Sequence, residues 1–346
     1  MAGNSNLHDS RSNRADEFYT QLSTIEDELC AYEEHFRGKT VLCNADDPYE
    51  SNFFKYFAMN FNYLGLKKLI ATCYSGSPVQ GNQLPLFDVE ALEDTPDDGR
   101  APYKIEISHV EDHTGDGAVG IADVEWLIKN KGNTLSILSG SGDFRSKECM
   151  ELLDEADIVC TNPPFSLMKE YLPLLVEKGK DFLVLGNINH ATYSEIFPYF
   201  LDEKMWLGNH AGHFWFNVPD HYEPKKTDYR EVNGQKQRRM GNICWFTNLD
   251  TPKHHEPLEL YREYNPDEYP KLDNYDAIFV RMTADIPIDY DGVMCVPITY
   301  LPYHCPEQFE IVGEFKHGQD GPFDLAVPYL DGKAKYNRLA IRAIRG

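Results

Sequence analysis

The sequence has no hydrophobic run of the length needed to cross a membrane, which is about 20 apolar residues. Its first residues, MAGNSNLHDSRSNRADEFY, are mainly polar and lack the apolar core of a secretory signal peptide. The eight cysteines are scattered, with no Cys-X-X-Cys pair, which fits a reducing compartment. We therefore predict a cytoplasmic protein with no membrane contact, in which residues 1–14 form a flexible arm.

Positive charge is also scarce, because 33 Lys and Arg stand against 56 Asp and Glu, for a net charge of −23. Binding to nucleic acid nevertheless depends on local basic clusters rather than on the total charge. The segment PKKTDYREVNGQKQRR offers candidate phosphate contacts at Lys225, Lys226, Arg230, Lys236, Arg238 and Arg239. A second basic cluster occupies the C-terminal tail, 331–346. Either cluster can instead be a solvated surface. We expect the first to be a mobile loop between the last two strands of a sheet.

Clusters with metal-ligand spacing are missing as well. His109, Asp112 and His113 lie close together in the sequence, as do His210 and His213. Neither group has a convincing third and fourth ligand for a zinc-like site. We therefore predict that the protein binds no metal.

Apolar segments of two kinds alternate along the first 190 residues. Short apolar runs closed by polar residues predict buried strands, and segments with helical spacing separate them. This order predicts an α/β fold with a mostly parallel sheet covered by helices on both faces. The expected strands are 39–44, 67–74, 104–110, a strand ending at Asp143, 157–162 and 180–189. Aromatic strands follow up to about residue 250, and beyond it we expect a second, irregular domain.

The expected strand 157–162 ends in an unusual turn, Asn162-Pro163-Pro164-Phe165. Two prolines fix two φ angles and remove two backbone donors, and the first of them also restricts Asn162. The turn therefore holds an amide, a free carbonyl and an aromatic ring in a fixed relation, which suits a flat polar ligand. Ligands of open α/β sheets bind at the carboxyl ends of the strands, where this turn lies.

The sequence resembles the EcoRI-type adenine-specific DNA methyltransferases, which are amino-methyltransferases of the gamma class that use S-adenosylmethionine. The resemblance rests on DEFYT, CNADDPYESNFFKYF, GLKKLIATCY and TNPPFS, in that order. It implies a Rossmann-like methyltransferase fold with a seven-stranded sheet over residues 15–250. It also implies a smaller target-recognition domain over residues 251–346.

The resemblance further implies roles for individual residues. Asn162, Pro163, Pro164 and Phe165 would hold a flipped adenine of double-stranded DNA. Contacts to S-adenosylmethionine would come from Phe18, Tyr19, Thr20, Asn44, Asp46, Asp47, Pro48, Asp143 and Phe144. Two features depart from the pattern, because the glycine-rich turn after the first strand is replaced by NADDP, and the second strand ends in TCY without an acid for the ribose.

Other interpretations stay open at this point. Asp46, Asp47 and Asp143 can each be the N-cap of a following helix. The same proline turn also occurs in methyltransferases that act on RNA or on a protein glutamine. A non-catalytic nucleic-acid binder, or a DNA mimic, would fit the net charge. A restriction endonuclease that acts on the same site is a possible partner.

Overall fold

We describe the protein from a computed structural model, over residues 19–44, 51–73, 102–117, 119–130, 135–218, 228–317 and 324–345. The expected arm and several candidate residues lie outside these ranges: Phe18, Asp46, Asp47, Pro48, Tyr74, Lys225 and Lys226. The chain forms two compact units, the first made of residues up to 186 with 212–243, and the second of 187–211 with 244–346. Within the described ranges no helix is both long enough and apolar enough to cross a membrane.

The helices of the first unit lie between strands, as the alternating pattern predicts. Their bounds are α1 Leu22–Leu29, α2 Glu33–Phe36, α3 Asn52–Met59, α4 Phe61–Leu64, α5 Ile121–Asn130, α6 Lys147–Glu155 and α7 Met168–Glu177. Helix α4 ends at Gly65, whose φ of +63° is a left-handed conformation that glycine adopts without steric cost. Helix α7 continues through Pro173.

The large sheet has ten strands within the described residues, rather than the seven that we expected. Their bounds are β1 Tyr19–Thr20, β2 Thr40–Cys43, β3 Lys68–Cys73, β4 Tyr103–Ile107, β5 Leu135–Ile137, β6 Ile158–Thr161, β7 Asp181–Asn187, β8 Trp206–Asn217, β9 Tyr229–Val232 and β10 Gln235–Thr247. Nine of them follow the order β1-β8-β10-β7-β6-β2-β3-β4-β5, and β9 pairs with β10. Strands β8 and β10 contribute residues to both units.

Strand direction in this sheet is mixed. Strands β3, β2, β6 and β7 are joined by parallel pairs. Antiparallel pairs join β3 to β4, β4 to β5 and β1 to β8. Two antiparallel steps return β5 to the direction of β3. The carboxyl ends of β2, β3, β5, β6 and β7 therefore lie at one edge of the sheet, which we call the carboxyl edge.

The buried strands explain why the parallel core is easy to see in the sequence. All four residues of β2 and all four of β6 are buried. Strand β4, which is further out, alternates between buried and half-buried residues. One expectation was wrong, because β5 ends at Ile137 and not at Asp143. The segment between them contains Gly140 and Gly142, and glycine is unfavourable inside strands.

Strands β9 and β10 correct the expectation of a mobile loop. They form a hairpin joined by Asn233 and Gly234, both of which have positive φ angles, 51° and 79°. Asn-Gly is the preferred pair for a two-residue turn with positive φ at both positions. Arg230 therefore lies on β9, and Lys236, Arg238 and Arg239 lie on β10.

The second unit contains a regular sheet, where we expected irregular structure. Frequent Pro and Tyr residues obscured the strand pattern in this part of the sequence. The strands are β11 Ala277–Phe279, β12 Val293–Pro297, β13 Phe309–Phe315, β14 Asp324–Leu325 and β17 Arg338–Ala343. Their order is β11-β12-β17-β13-β14, and a separate pair is formed by β15 Tyr329–Leu330 and β16 Lys333–Ala334. A short helix, α8 Phe197–Leu201, belongs to the same unit.

One group of ionisable residues is buried in this second unit, and we call it the buried ion cluster. Lys316 lies 3.0 Å from Asp324 and 3.7 Å from Glu314, and the side chains of all three are at most 6% exposed. The ammonium of Lys316 also donates to the hydroxyl of Ser194 at 2.9 Å. Burial raises the pKa of Glu314 to about 8. Lys316 is thus balanced by Asp324, while Glu314 stays protonated at neutral pH.

All eight cysteines are free thiols, as a reducing compartment would allow. Cys30 is exposed, and the other seven are buried. Burial raises the pKa of Cys160 well above its ordinary value, and that of Cys295 to about 12. The buried thiols are therefore part of the hydrophobic packing and are poor nucleophiles in the folded state.

Candidate functional site

The proline turn follows the end of β6 at the carboxyl edge. Asn162 is half-buried, Pro163 is buried, and Phe165 begins a single turn of 3₁₀ helix that ends at Leu167. The N–H of Leu167 donates to the carbonyl of Pro164 at 2.9 Å, so the turn continues directly into α7. Because the turn is tied to a buried strand on one side and to a helix on the other, its amide and carbonyl groups are held rigidly.

Asn44 comes directly after β2, the strand next to β6. The register pairs Leu42 with Val159, which places Asn44 at the same edge as the proline turn. The hydroxyl of Tyr171 donates to Oδ1 of Asn44, and the two residues are only 1% and 7% exposed. A helix that begins after the proline turn therefore contacts the end of the neighbouring strand.

Asp143 and Phe144 lie in the segment that follows β5. Both oxygens of Asp143 accept hydrogen bonds from the guanidinium of Arg145, at 2.9 and 2.8 Å, and these bonds hold the pKa of Asp143 below its ordinary value. Arg145 also donates to Glu170 of α7 at 2.8 Å. The ring of Phe144 packs edge-on against Tyr171, with 5.1 Å between centroids. The structure thus brings Asn44 and Phe144 to the same tyrosine.

Serine residues, and not the aspartates, are the N-caps of the two helices in question. The hydroxyl of Ser51 accepts from the N–H of Phe54 at 3.4 Å at the start of α3. The hydroxyl of Ser146 accepts from the N–H of Cys149 at 3.3 Å at the start of α6. The capping interpretation of Asp143 is therefore wrong, and α3 does not need Asp46 or Asp47 as its cap.

The N-terminal candidates that the structure describes lie on β1. Tyr19 and Thr20 pair with Asn217 and Phe216 of β8. The carbonyl of Thr20 accepts from the side chain of Asn52 at 2.6 Å, which ties β1 to the start of α3. The hydroxyl of Thr20 is buried and has no hydrogen-bond partner among the described residues. A buried hydroxyl without a partner is costly and suits contact with a polar ligand.

The β9–β10 hairpin divides its basic residues between two faces. Arg230 lies opposite Gln237 and donates to it at 2.7 Å, and its guanidinium stacks 4.1 Å from the centre of the Trp215 ring. Side chains alternate along a strand, so Arg239 shares the face of Gln237. We call this the Arg230 face.

The other face of the hairpin carries the remaining basic residues. Arg238 lies opposite Tyr229, and Lys236 lies opposite Glu231. Each face also has one acidic residue, Glu231 on this face and Asp228, whose carbonyl accepts from the N–H of Arg239, on the Arg230 face. The two faces differ in exposure, because Arg230 and Arg239 are exposed whereas Lys236 and Arg238 are half-buried.

The segment that contains His113 forms local contacts. His113 stacks on Trp126, with 3.5 Å between ring centroids. Asp112 accepts from the backbone N–H groups of Gly115 and Gly117 at 2.6 and 2.8 Å. Over the described ranges no group of three or more His, Cys, Asp or Glu side chains is arranged to hold a metal ion.

Sequence reasoning missed three residues of this site: Arg145, Glu170 and Tyr171. The segment SLMKEYLPLLVEKG shows Tyr171 as one more apolar position of a helix, and its hydroxyl partner is 127 residues away. The signal for Arg145 was present, because a basic residue two positions after Asp143 can close a local ion pair. We did not use that signal.

Comparison with known proteins adds independent information. A family model described as the adenine-specific methyltransferase EcoRI matches residues 6–340. The type II methyltransferase M.EcoRI of Escherichia coli is 44% identical over 346 residues, which cover 99% of this chain and 97% of that protein. M.MgeORF184P of Mycoplasma genitalium is 36% identical, covering 88% of this chain and 85% of its own. M.MpnI of Mycoplasma pneumoniae is also 36% identical, covering 86% and 81%. No solved structure matches.

Proposed function

Because the chain belongs to the family of EcoRI-type adenine-specific methyltransferases, we propose that it methylates the exocyclic amine of an adenine flipped out of duplex DNA. It is an adenine-specific DNA methyltransferase, related to enzymes of restriction–modification systems. The observation that carries the detailed proposal is the placement of the Asn162–Phe165 turn beside Asn44 at the carboxyl edge. The methyl donor that we propose is S-adenosylmethionine.

The residues at this edge fit such a cofactor. Thr20 offers a buried hydroxyl without a partner among the described residues, and Asn44 offers a buried amide. Arg145 holds the pKa of Asp143 below its ordinary value, and the carboxylate oxygens of Asp143 can accept a hydrogen bond from an adenine amine. We propose that these residues, together with Tyr19 and Phe144, bind the cofactor. Phe18, Asp46, Asp47 and Pro48 complete the proposed set.

The proline turn supplies what methyl transfer to an amine requires. S-adenosylmethionine provides an electrophilic methyl group on a sulfonium. The adenine amine is a weak nucleophile, because its lone pair is delocalised into the ring. We propose that Oδ1 of Asn162 and the carbonyl of Pro163 accept hydrogen bonds from its two N–H groups and stabilise the positive charge that develops during attack. As the N–C bond forms, the bond from sulfur to the methyl group would break to leave a thioether, and the methylated amine would then release one proton to solvent. Rigid alignment of the amine contributes much of the remaining acceleration.

The target adenine reaches these acceptors only after leaving the helical stack. We propose that Phe165 stacks on the extruded base and offsets part of the energy lost on unstacking. Stacking of a base on an aromatic side chain contributes about 1–3 kcal/mol. Phe165 is half-buried at the start of its 3₁₀ turn, so part of its ring surface remains available.

Contacts to the DNA backbone are proposed for the basic hairpin. Arg230 and Arg239 would contact phosphates from the Arg230 face, with Lys225, Lys226, Lys236 and Arg238 as further candidates. We also propose that residues 251–346 read the target sequence and that residues 15–250 form a Rossmann-like catalytic domain. A cytoplasmic location and a restriction endonuclease of the same specificity complete the proposal.

The function is tested by replacing Asn162. We expect Asn162→Ala to lower single-turnover methylation of DNA by about 10²-fold or more, because one acceptor of the transition state is lost. Cofactor affinity, measured by calorimetry, and thermal stability should change little. Asn60→Ala is the matched control, since Asn60 is also half-buried and its side chain donates to the carbonyl of Tyr56, four residues earlier.

Labelled methyl groups should be offered to DNA, RNA and protein in parallel. Incorporation into adenine of DNA, lost in Asn162→Ala and kept in Asn60→Ala, is the expected result. Incorporation into RNA or into a protein glutamine would favour the alternative substrates. Normal turnover of Asn162→Ala would remove that side chain from the mechanism.

A further inference from the structure

Tyr171 connects parts of the site that are far apart in the sequence. It lies on α7, nine residues after Asn162, and is 1% exposed. Its hydroxyl donates to Oδ1 of Asn44 at the end of β2. Its ring packs against Phe144 at 5.1 Å and 83°, in the segment after β5. One side chain thus contacts two of the residues that we assign to the cofactor.

The direction of the hydrogen bond determines what Asn44 can offer. A side-chain amide carries an acceptor oxygen and a donor nitrogen on opposite sides. Since the tyrosine hydroxyl bonds to Oδ1, Nδ2 is the part of the amide that we assign to a ligand. Asn44 therefore presents a donor, which suits an acceptor oxygen such as a ribose hydroxyl or a carboxylate.

Glu170, the residue of α7 next to Tyr171, contributes an exposed contact to the segment after β5. Glu170 accepts from Arg145, and Arg145 in turn holds both oxygens of Asp143. Consecutive residues of α7 thus hold the end of β2 and the segment after β5. The helix that contains them starts from the proline turn, so the acceptors for the base and the residues for the cofactor share one support.

We propose that Tyr171 is a positioning residue of the methyltransferase. It orients the amide of Asn44 and the ring of Phe144 toward the methyl donor, without contacting the donor itself. This inference rests on the proposed use of S-adenosylmethionine at the carboxyl edge. A merely structural role for Tyr171 would affect stability and leave cofactor affinity unchanged.

The test is calorimetric binding of S-adenosylmethionine to the full chain. Tyr171→Phe removes one oxygen atom and keeps the ring against Phe144. We expect its Kd to rise about fivefold, the loss that corresponds to one hydrogen bond. The KM for DNA should stay at the parental value, while the KM for the cofactor rises with the Kd.

Tyr32→Phe is the matched control. Tyr32 is fully buried in the same unit, and its hydroxyl donates to Glu28 at 3.1 Å. Both variants lose one buried hydroxyl, so similar losses of thermal stability are expected. Only Tyr171→Phe should weaken cofactor binding. Equal affinities of Tyr171→Phe and the parent would overturn the proposal.

Variants of Asn44 test whether Tyr171 affects cofactor binding through Asn44. In an Asn44→Ala background, adding Tyr171→Phe should change the Kd less than about twofold, because the two side chains act as one unit. A full additional loss would overturn the proposed route through Asn44. Asn44→Asp keeps an oxygen for Tyr171 but removes the donor, so it should bind the cofactor at least as weakly as Tyr171→Phe. Parental affinity of Asn44→Asp would also overturn the proposal.

Different results would disprove the proposed cofactor and the proposed role of Tyr171. If the parent protein produced no heat with S-adenosylmethionine, the proposed cofactor and this inference would fall together. If the parent bound it and Tyr171→Phe bound it equally well, only the role of Tyr171 would fall.

Discussion

Two groups of charged residues, one in each unit, are arranged in opposite ways. In the first unit Arg145 is paired with Asp143, and these side chains are 50% and 29% exposed. In the buried ion cluster of the second unit, Lys316 is 6% exposed and its carboxylate partners are 2% exposed or less. The Asp143–Arg145 pair is therefore accessible to solvent, whereas the buried ion cluster is almost completely shielded from it.

The difference teaches what each group can do. Solvated ion pairs contribute about 0–1 kcal/mol to stability, and their members can exchange partners at little cost. Buried ions lose several kcal/mol of hydration each and depend on the opposite charge beside them. We therefore expect the Asp143–Arg145 pair to adapt to a ligand and the buried ion cluster to determine the stability of its unit.

The largest effect on stability should come from Lys316→Met. Removal of the ammonium takes away the positive charge that lies 3.0 Å from the buried Asp324. We expect the free energy of unfolding of the second unit to fall by about 3–5 kcal/mol at neutral pH. Unfolding in urea, followed by circular dichroism, measures the change.

Lys178→Met is the control for that substitution. Lys178 lies 2.8 Å from Asp154, but the two side chains are 33% and 58% exposed. Its loss should cost no more than about 1 kcal/mol. Equal losses from Lys178→Met and Lys316→Met would contradict the distinction between buried and exposed pairs.

A pH-dependent effect is expected from Glu314→Gln. The pKa of Glu314 is raised from 4.5 to about 8 by burial, so the folded state keeps a proton that the unfolded state loses between these values. Stability from this group is complete below pH 4.5 and is lost as the pH rises to about 8. The loss follows a slope of up to about 1.4 kcal/mol per pH unit.

Glutamine imitates the protonated form of Glu314 and cannot titrate. The difference in unfolding free energy between Glu314→Gln and the parent should be small at pH 5 and should increasingly favour the variant up to pH 8. Urea titrations at four or five pH values would measure it. A difference that is independent of pH would mean that Glu314 is ionised throughout.

A smaller effect is expected from Arg145→Gln. The exposed guanidinium contributes little to stability, so the free energy of unfolding should change much less than in Lys316→Met. Arg145→Lys retains the charge but loses the two-point contact with Asp143, and should lie between the variant and the parent. Urea unfolding of the three proteins checks this. A loss as large as that of Lys316→Met would show that the pair is structural.

Substitutions on the Arg230 face should have the smallest effect on stability. They should have a clear effect on DNA binding. Arg230→Gln with Arg239→Gln should flatten the dependence of DNA affinity on salt by up to about two units of slope. Lys236→Gln with Arg238→Gln removes equal charge from the opposite face and should flatten it less. Binding isotherms from low to moderate salt measure both slopes, and equal changes would mean that the hairpin does not distinguish its faces.

The parallel core of the first unit could be predicted because its strands are continuous apolar runs with polar ends. Strands β2, β3, β6 and β7 therefore lie where the sequence placed them. The hairpin was missed because charged residues concealed the Asn233-Gly234 turn, which is a local signal that could have been used. The second sheet was missed for a different reason, since frequent Pro and Tyr residues obscure the strand pattern there, and β14, Asp324–Leu325, is too short to show a period.

The turn Asn162–Phe165, which we propose to be catalytic, could be singled out from the sequence because its proposed chemistry is contained in four consecutive residues. The support behind it could not. Tyr171 meets Asn44 across 127 positions, and only the parallel packing of β2 and β6 brings them together. Long-range contacts of this kind depend on the tertiary structure and leave no mark in local sequence patterns.

The natural cysteines can be used to measure how fast each unit of the protein opens locally. A thiol reagent should modify one cysteine at once, because Cys30 alone is exposed. The remaining seven become reactive only when their surroundings open, and their labelling rates measure that opening. Four of them report on the first unit and three on the second: Cys43, Cys73, Cys149 and Cys160, and then Cys244, Cys295 and Cys305. Mass spectrometry of partly labelled protein would thus time each unit separately, with no cysteine added or removed.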